Sequence, residues 1–441
     1  MEVAQRPEFR WALSGEIIPL TLSALDTVAE ARERIAEATA CARPLLRLLD
    51  LQGQPLEDSG FVGAGGLVYA WDPFEARMTE QLGVSTLNDL QDRVDLSLAN
   101  LGLEGLPERF GSLTALQRLN ANHNGLVALP ASFCNLVCLQ KLGICHNKLA
   151  ELPEGFGHLE SLQRLGLSNN QLASLPKGIS KLSRLQTLVV DDNRLASLPE
   201  DFGGLASLEE LGLNNNQLFS LPASFCQLKA LRKLGLNGNA DLASLPDDFQ
   251  KLEALHTLGL EFDGFASLPE SVCQLPSLVE LWLRGNQLVE LPASFGNLAN
   301  LQRFGVANNK LASLPDSFCQ LSELRILGAE SNLLTSLPRA FGQLSAMQRL
   351  SLRRNRLASL PSSFGWMGAL RVLYLSSNQL RSLPPSFCQL SSLEELWLGD
   401  NPLATLPSGF ERLPVLRTLG LEEEQASRLR QAGYGKQLAH F

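Results

Sequence analysis

The 441-residue chain is poor in several residue types. Aromatic side chains make up only 6%, with three Tyr and five Trp, and there are five His and four Met. With so few His, and no nucleophile and base paired at a plausible spacing, the sequence offers nothing for hydrolase chemistry. No run approaches the ~20 apolar residues that a membrane-spanning helix requires. The first 30 residues scatter Glu, Arg and Asp with no apolar core, so no signal peptide is read there. Basic residues are outnumbered 37 to 46, and the net charge of −9 argues against nucleic acid or an anionic membrane surface as the main partner. The eight Cys show no paired small-domain spacing and read as reduced thiols, which places the chain in the cytoplasm or a similarly reducing compartment. No Walker loop is present. Gly60-Phe-Val-Gly63-Ala-Gly65-Gly66 lacks the Lys and Ser/Thr that would follow in such a loop, and it reads as a turn. No cofactor or metal is implied.

What is present is an apolar fraction of 45% against 19% charged, which specifies a folded protein of two or three domains at this length. The dipeptide Leu-Pro recurs with Pro at 107, 130, 153, 176, 199, 222, 246, 269, 292, 315, 338, 361, 384 and 407, every 23 residues except for one interval of 24. Such a period marks a solenoid. One unit reads Leu162-Gln-Arg-Leu165-Gly-Leu167-Ser-Asn-Asn170-Gln-Leu172-Ala-Ser-Leu175-Pro176. Alternation predicts a short strand with Leu165 and Leu167 inward and Arg164, Gly166 and Ser168 outward. Asn170 and its equivalents, from Asn124 to Asn401, would satisfy backbone groups of the turn with their carboxamides. Leu101, Asp263 and Glu424 take that place in three units, where the ladder should be weakest. Phe three residues after Pro, from Phe110 to Phe410, predicts an apolar spine.

This pattern resembles the leucine-rich repeat L-x-x-L-x-L-x-x-N-x-L in its 23-residue form ending in Leu-Pro, which intracellular Ras-group scaffolds and their plant and bacterial relatives use. The resemblance implies an α/β solenoid, a curved horseshoe with a parallel concave sheet of fifteen strands. Repeats occupy 93–421. Residues 73–92 read as a helical amino-terminal cap with a degenerate repeat, and 422–441 as a carboxy-terminal cap helix and tail.

Residues 1–72 have no repeat. They read as strands over 9–12 and 17–22, a helix over 27–38 with Asp26 as N-cap, and strands around 46–51 and 67–71. Leu13-Ser14-Gly15, Asp26-Thr27-Val28 and Gly53-Gln54-Pro55-Leu56-Glu57-Asp58 resemble ubiquitin, implying a small α+β domain of the β-grasp type. Residues 1–80 contain no Lys and carry −6 of the net charge. Asp50 falls where ubiquitin's central apolar contact would sit, which points to a docking or capping module.

Cys134, Cys138, Cys145 and His146 lie within 13 residues, but Cys134 belongs to a column with Cys226, Cys273, Cys319 and Cys388 on the opposite side of the repeats from Cys145 and His146. The four cannot converge on one ion with bonds of ~2.0–2.3 Å. The informative surface is the middle outward position of each strand. Glycine fills it at 143, 166, 212, 235, 259, 305, 328 and 420, which reads as a flat, uncovered floor, whereas Trp282, Tyr374 and Trp397 interrupt it. Around them are Glu280, Arg284, Glu330, Arg349, Arg353, Arg354, Glu395 and Asp400, and aromatics with charged rims compose interface hot spots. Trp282, Arg284, Glu330, Arg349, Arg353, Tyr374, Glu395 and Trp397 are therefore the candidate partner-binding residues. Asp191, Asp192, Glu210 and Glu261 form a second, acidic candidate. The expected function is a non-catalytic scaffold holding a protein on the concave sheet, in signalling, with 1–72 available to a second partner. The alternatives are a ubiquitin-pathway adaptor acting through 1–72 and a structural subunit of a cytoskeletal or ciliary assembly.

The register makes Leu211 and Leu213 inward-facing, so Leu→Ala at either costs about 2–5 kcal/mol. Urea melts check this; a loss below about 1 kcal/mol contradicts the register.

Overall fold

The structure is a computed structural model that describes residues 87–438 apart from 243, together with 9–11, 17–18, 30–31, 33–34, 47–49 and 68–71. It divides into two compact units, 1–208 and 209–441.

In the first unit, β1 (Phe9–Trp11), β2 (Ile17–Ile18), β3 (Arg47–Leu49) and β4 (Val68–Trp71) form a sheet in the order β2-β1-β4-β3. β1 runs parallel to β4 and antiparallel to β2, and β3 is antiparallel to β4. They lie within the stretches read as strands from the sequence, whose remaining residues are outside the described ones. Residues 30, 31, 33 and 34 are helical, with Ala31 buried. Asp26, the rest of the 27–38 helix, Asp50, the Gly60–Gly66 turn and the cap over 73–86 lie outside the described residues.

The repeats contribute fifteen three-residue strands. β5 (Asp95–Ser97), β6 (Arg118–Asn120), β7 (Lys141–Gly143), β8 (Arg164–Gly166) and β9 (Thr187–Val189) belong to the first unit. The second holds β10 (Glu210–Gly212), β11 (Lys233–Gly235), β12 (Thr257–Gly259), β13 (Glu280–Trp282) and β14 (Arg303–Gly305). It continues with β15 (Ile326–Gly328), β16 (Arg349–Ser351), β17 (Val372–Tyr374), β18 (Glu395–Trp397) and β19 (Thr418–Gly420). Within each unit every strand pairs parallel with the next, equivalent residues side by side, as Leu165 with Leu188 and Leu281 with Phe304.

The asparagine positions work as their chemistry requires. Asn147 donates from Nδ2 to the carbonyls of Ala121 (3.0 Å) and Ile144 (3.1 Å), while its Oδ1 accepts from the Leu126 N–H at 3.0 Å. Asn309, Asn332, Asn355, Asn378 and Asn401 repeat the pattern, joining each turn to the previous repeat. After the Leu-Pro step the chain returns through a 3₁₀ turn, such as Ala131–Asn135. Pro130 precedes it in an extended conformation at φ −64°, and the Phe133 N–H donates to the Pro130 carbonyl at 3.0 Å. This turn buries the Phe column completely, and the rings stack face to face: Phe110 on Phe133 at 6.1 Å, and Phe295, Phe318, Phe341, Phe364, Phe387 and Phe410 in one series at 5.7–6.4 Å. Phe304 stands in a Leu column and tilts against Phe295 at 4.8 Å, an interior aromatic the period did not announce.

The carboxy-terminal end differs from expectation. α1 covers Glu423–Leu429 and α2 Gly435–Leu438, and between them the chain kinks at Gly433, which takes a left-handed φ of 96°. Glu424 is not the residue that meets the asparagine ladder. Gln425, 2% exposed, reaches back and donates to the Leu398 carbonyl at 3.1 Å, as an asparagine would. Its longer side chain spans the extra residue.

Asp263 is the weak rung. Its Oδ1 accepts from the Asn239 N–H at 2.7 Å, but Oδ2 is buried with no partner, and a carboxylate has no N–H for the carbonyls that an asparagine serves. Burial pushes the Asp263 carboxyl up to about 7, against the opposing hydrogen bonds from the Asn239 and Gly238 backbone. A raised native-state value means the folded chain holds a proton that the unfolded chain has released. This contribution to stability is therefore complete below the unfolded value near 4 and is lost as pH rises to about 7. Asp263→Asn should remove that dependence and raise stability at pH 8 by about 1–3 kcal/mol. Urea midpoints of both proteins at pH 5 and pH 8 test it; a gain that does not grow with pH contradicts the account.

Candidate functional site

The middle outward column behaves differently from a bare floor. At Gly305 an added Cβ would come 2.6 Å from the Trp282 ring, and at Gly420 it would strike the Trp397 ring. Glycine there is the seat of the preceding repeat's side chain. Asn214 lies over Gly235 and Asn237 over Gly259, and in the first unit Asn122 covers Gly143 and the Cys145 thiol covers Gly166. The expectation of an uncovered glycine floor is corrected accordingly: the missing Cβ is where a neighbour packs. Asn122, Asn214 and Asn237 also form a second set of asparagine bridges. Their Oδ1 atoms accept from the N–H groups of Cys145 (2.7 Å), Asn237 (2.9 Å) and Glu261 (2.8 Å) in the following repeats. Single-repeat reading missed them, because each bridge joins equivalent positions of two repeats.

Tyr374 on β17 and Trp397 on β18 are register partners, and their rings stack with centroids 6.3 Å apart and planes 20° from parallel. Tyr374 is half-buried, while Trp397 keeps 39% of its surface exposed although it rests on Gly420. Trp282, half-buried on β13, lies four strands away, ~19 Å at the usual ~4.8 Å spacing. It therefore does not join the stack. The candidate residues occupy the second unit's sheet from β13 to the turn after β18, with Glu330 and Arg353 in the turns after β15 and β16.

The rim charges divide into used and unused. Arg303 Nη1 holds Glu280 Oε1 at 2.8 Å. Arg284 lies over the Phe262 ring at 5.8 Å, a cation–π contact, and Phe262 is half exposed in the left-handed region at φ 61°. Arg349, Arg353 and Arg354 are exposed, and their side chains make no hydrogen bond or ion pair among the described residues. Glu330 is half-buried with Oε2 enclosed and unpartnered. Glu395 is half-buried beside Trp397. The acidic candidate is less free than its sequence suggested: Glu210 lies 3.7 Å from Lys233, Asp192 accepts from Asn169 Nδ2 at 3.4 Å, and burial raises the Glu261 carboxyl while Arg284 opposes that.

In the first unit, a groove of about 540 Å³ runs over β5–β8 between Asp95, Arg118, Lys141 and Arg164. Asp95 neutralises Arg118. Among the described residues no three His, Cys, Asp or Glu side chains form a group able to hold a metal ion. Cys134 is buried, Cys138 exposed, and His146 stacks on His123 with centroids 4.2 Å apart. Burial raises the thiols of Cys134, Cys145, Cys226, Cys273, Cys319 and Cys388, with Cys273 and Cys319 reaching about 11, so these sulfurs remain protonated. Among the described residues no helix is long and apolar enough to cross a membrane.

Comparison with known proteins follows the same architecture. Residues 134–235 match a family profile described as a leucine-rich repeat region, and 276–334, 324–380 and 368–425 match one described as leucine rich repeat. Neither profile reaches the first 72 residues, whose ubiquitin-like assignment draws no support from them. No curated protein is significantly similar to the chain. Among solved structures, a leucine-rich repeat protein of Leptospira interrogans is 33% identical, with a TM-score of 0.67, over 77% of this chain and 87% of its own. YopM of Yersinia enterocolitica is 30% identical, with a TM-score of 0.55, over 78% and 68%. The ectodomain of the Arabidopsis thaliana membrane receptor kinase GASSHO1/SCHENGEN3, in complex with Casparian strip integrity factor 2, is 29% identical with a TM-score of 0.60; the match covers 72% of this chain but only 40% of the ectodomain. The repeat spacing, the asparagine ladder and the Leptospira relative agree, and the chain belongs to the leucine-rich repeat proteins.

Proposed function

We propose that the protein is a non-catalytic interaction scaffold that holds a protein partner on the open sheet face of its second unit. The observation that carries this reading is the Tyr374–Trp397 stack. Two large rings stand in a column where glycine is common, and Trp397 stays 39% exposed although it has a seat to lie on. Exposed aromatics with a charged border are costly to solvate and favourable to cover, the composition of interface anchors. A plant relative of similar fold was solved in complex with Casparian strip integrity factor 2, which supports a ligand-binding use of such repeats. A role in signalling rests on the likeness of the repeat form to Ras-group scaffolds. The seven free cysteines among the described residues, most of them buried, suit a reducing cytoplasm. Residues 1–72 offer a second contact surface.

Affinity purification from native cells, after circular dichroism has shown each variant folded, separates these roles. The Trp282→Ala/Tyr374→Ala/Trp397→Ala triple variant is expected to lose its main partner, while deletion of 1–72 retains it. Retention by the triple variant together with loss on the deletion overturns the sheet-face reading and makes 1–72 the functional site.

A further inference from the structure

We propose that β16–β18 bind an extended peptide segment of a partner protein, in which one carboxylate side chain lies two or three residues from a large apolar side chain. The inference rests on the sheet-face reading above and specifies its ligand. Several cations near the second unit's sheet face are already neutralised or covered: Lys233 lies 3.7 Å from Glu210, Arg303 2.8 Å from Glu280, Arg371 3.9 Å from Glu394, and Arg284 covers Phe262. Arg349, Arg353 and Arg354 are different. They belong to one repeat, are all exposed, and their side chains make no ion pair or hydrogen bond among the described residues. Their free guanidiniums present planar donor forks suited to a carboxylate.

The neighbouring strands supply the second half of the site. Ser351 on β16 pairs with Tyr374 on β17, and Tyr374 with Trp397 on β18. At ~4.8 Å between strands, the aromatic stack lies about 5–10 Å from the arginine strand. An extended chain crossing the strands advances ~3.3 Å per residue, which sets the separation of two to three residues. Flanking acids narrow the ligand further. Glu330 lies before the arginines and Glu395 beside Trp397, so a polyanion such as nucleic acid would meet repulsion on both sides, whereas a single carboxylate would not.

The test uses the full chain and labelled synthetic peptides of Gly and Ser carrying one Glu and one Trp at separations of one to six residues, read by fluorescence anisotropy. The tightest binding is expected at separations of two and three. Replacing Glu by Gln in the peptide, or Arg349→Gln/Arg353→Gln in the protein, should each weaken binding about tenfold or more. Raising salt should weaken the Glu peptide and leave the Gln peptide nearly unchanged. Trp397→Ala should weaken Glu and Gln peptides alike. Equal binding of both peptides, or indifference to Arg349→Gln/Arg353→Gln, overturns the carboxylate assignment, and if Trp397→Ala still abolishes binding the sheet-face reading survives. Absence of binding by every peptide overturns the proposal, and the partner assay with the aromatic triple variant then judges the sheet face separately.

Discussion

The fold depends on how a buried carboxamide settles the backbone where each strand turns away from the sheet. A turn that leaves a strand after three residues exposes carbonyls of two repeats and an N–H of the earlier one to an apolar interior. Asn147 and its equivalents donate to the former and accept from the latter, which allows the flanking Leu side chains to stay dry. Each such asparagine bonds to the preceding repeat, so no repeat completes its own hydrogen bonding. Apolar burial follows the same rule, since the Phe rings stack on those of the next repeat. Stability is thus a property of neighbouring pairs, and an error such as Asp263 stays local.

Much of this architecture was legible in the sequence because a fixed period converts position into environment. Leu165, Asn170 and Phe156 announce a strand, a ladder and a spine, and the structure places each accordingly. What escaped was whatever depends on the offset between repeats. The glycines were read one repeat at a time, as empty; their meaning appears only when Trp282 is seen lying over Gly305. Asn122, Asn214 and Asn237 sit in a column that otherwise holds Ala, Ser, Cys, Gly or charged residues, and their bridges need the N–H of the next repeat. Gln425 was missed because it stands one place beyond the period and reaches back with an extra methylene.

The candidate surface was half legible. Three aromatics in a glycine column could be picked out directly, as could the charges around them. The sequence could not tell which charges are committed. Glu280 is held by Arg303 and Arg284 is occupied with Phe262, whereas Arg349 and Arg353 stand free. That distinction comes from reach across strands, and it moves the centre of the patch from Trp282 toward β16–β18.

The seat of Trp397 has a consequence for how the surface behaves in time. Gly420 belongs to β19, the last strand, and the bond that closes the ladder beyond it comes from Gln425 in α1. In a linear stack each strand is held by its two neighbours, and β19 has β18 on one side and α1 on the other. Fraying of α1 would release β19 and withdraw the support beneath the indole, so the ring's orientation is tied to the folding equilibrium of β19 and α1. A ligand gripping Trp397 would then act as a latch on β19 and α1, slowing their opening and exchanging part of its binding energy for order in a helix it does not touch.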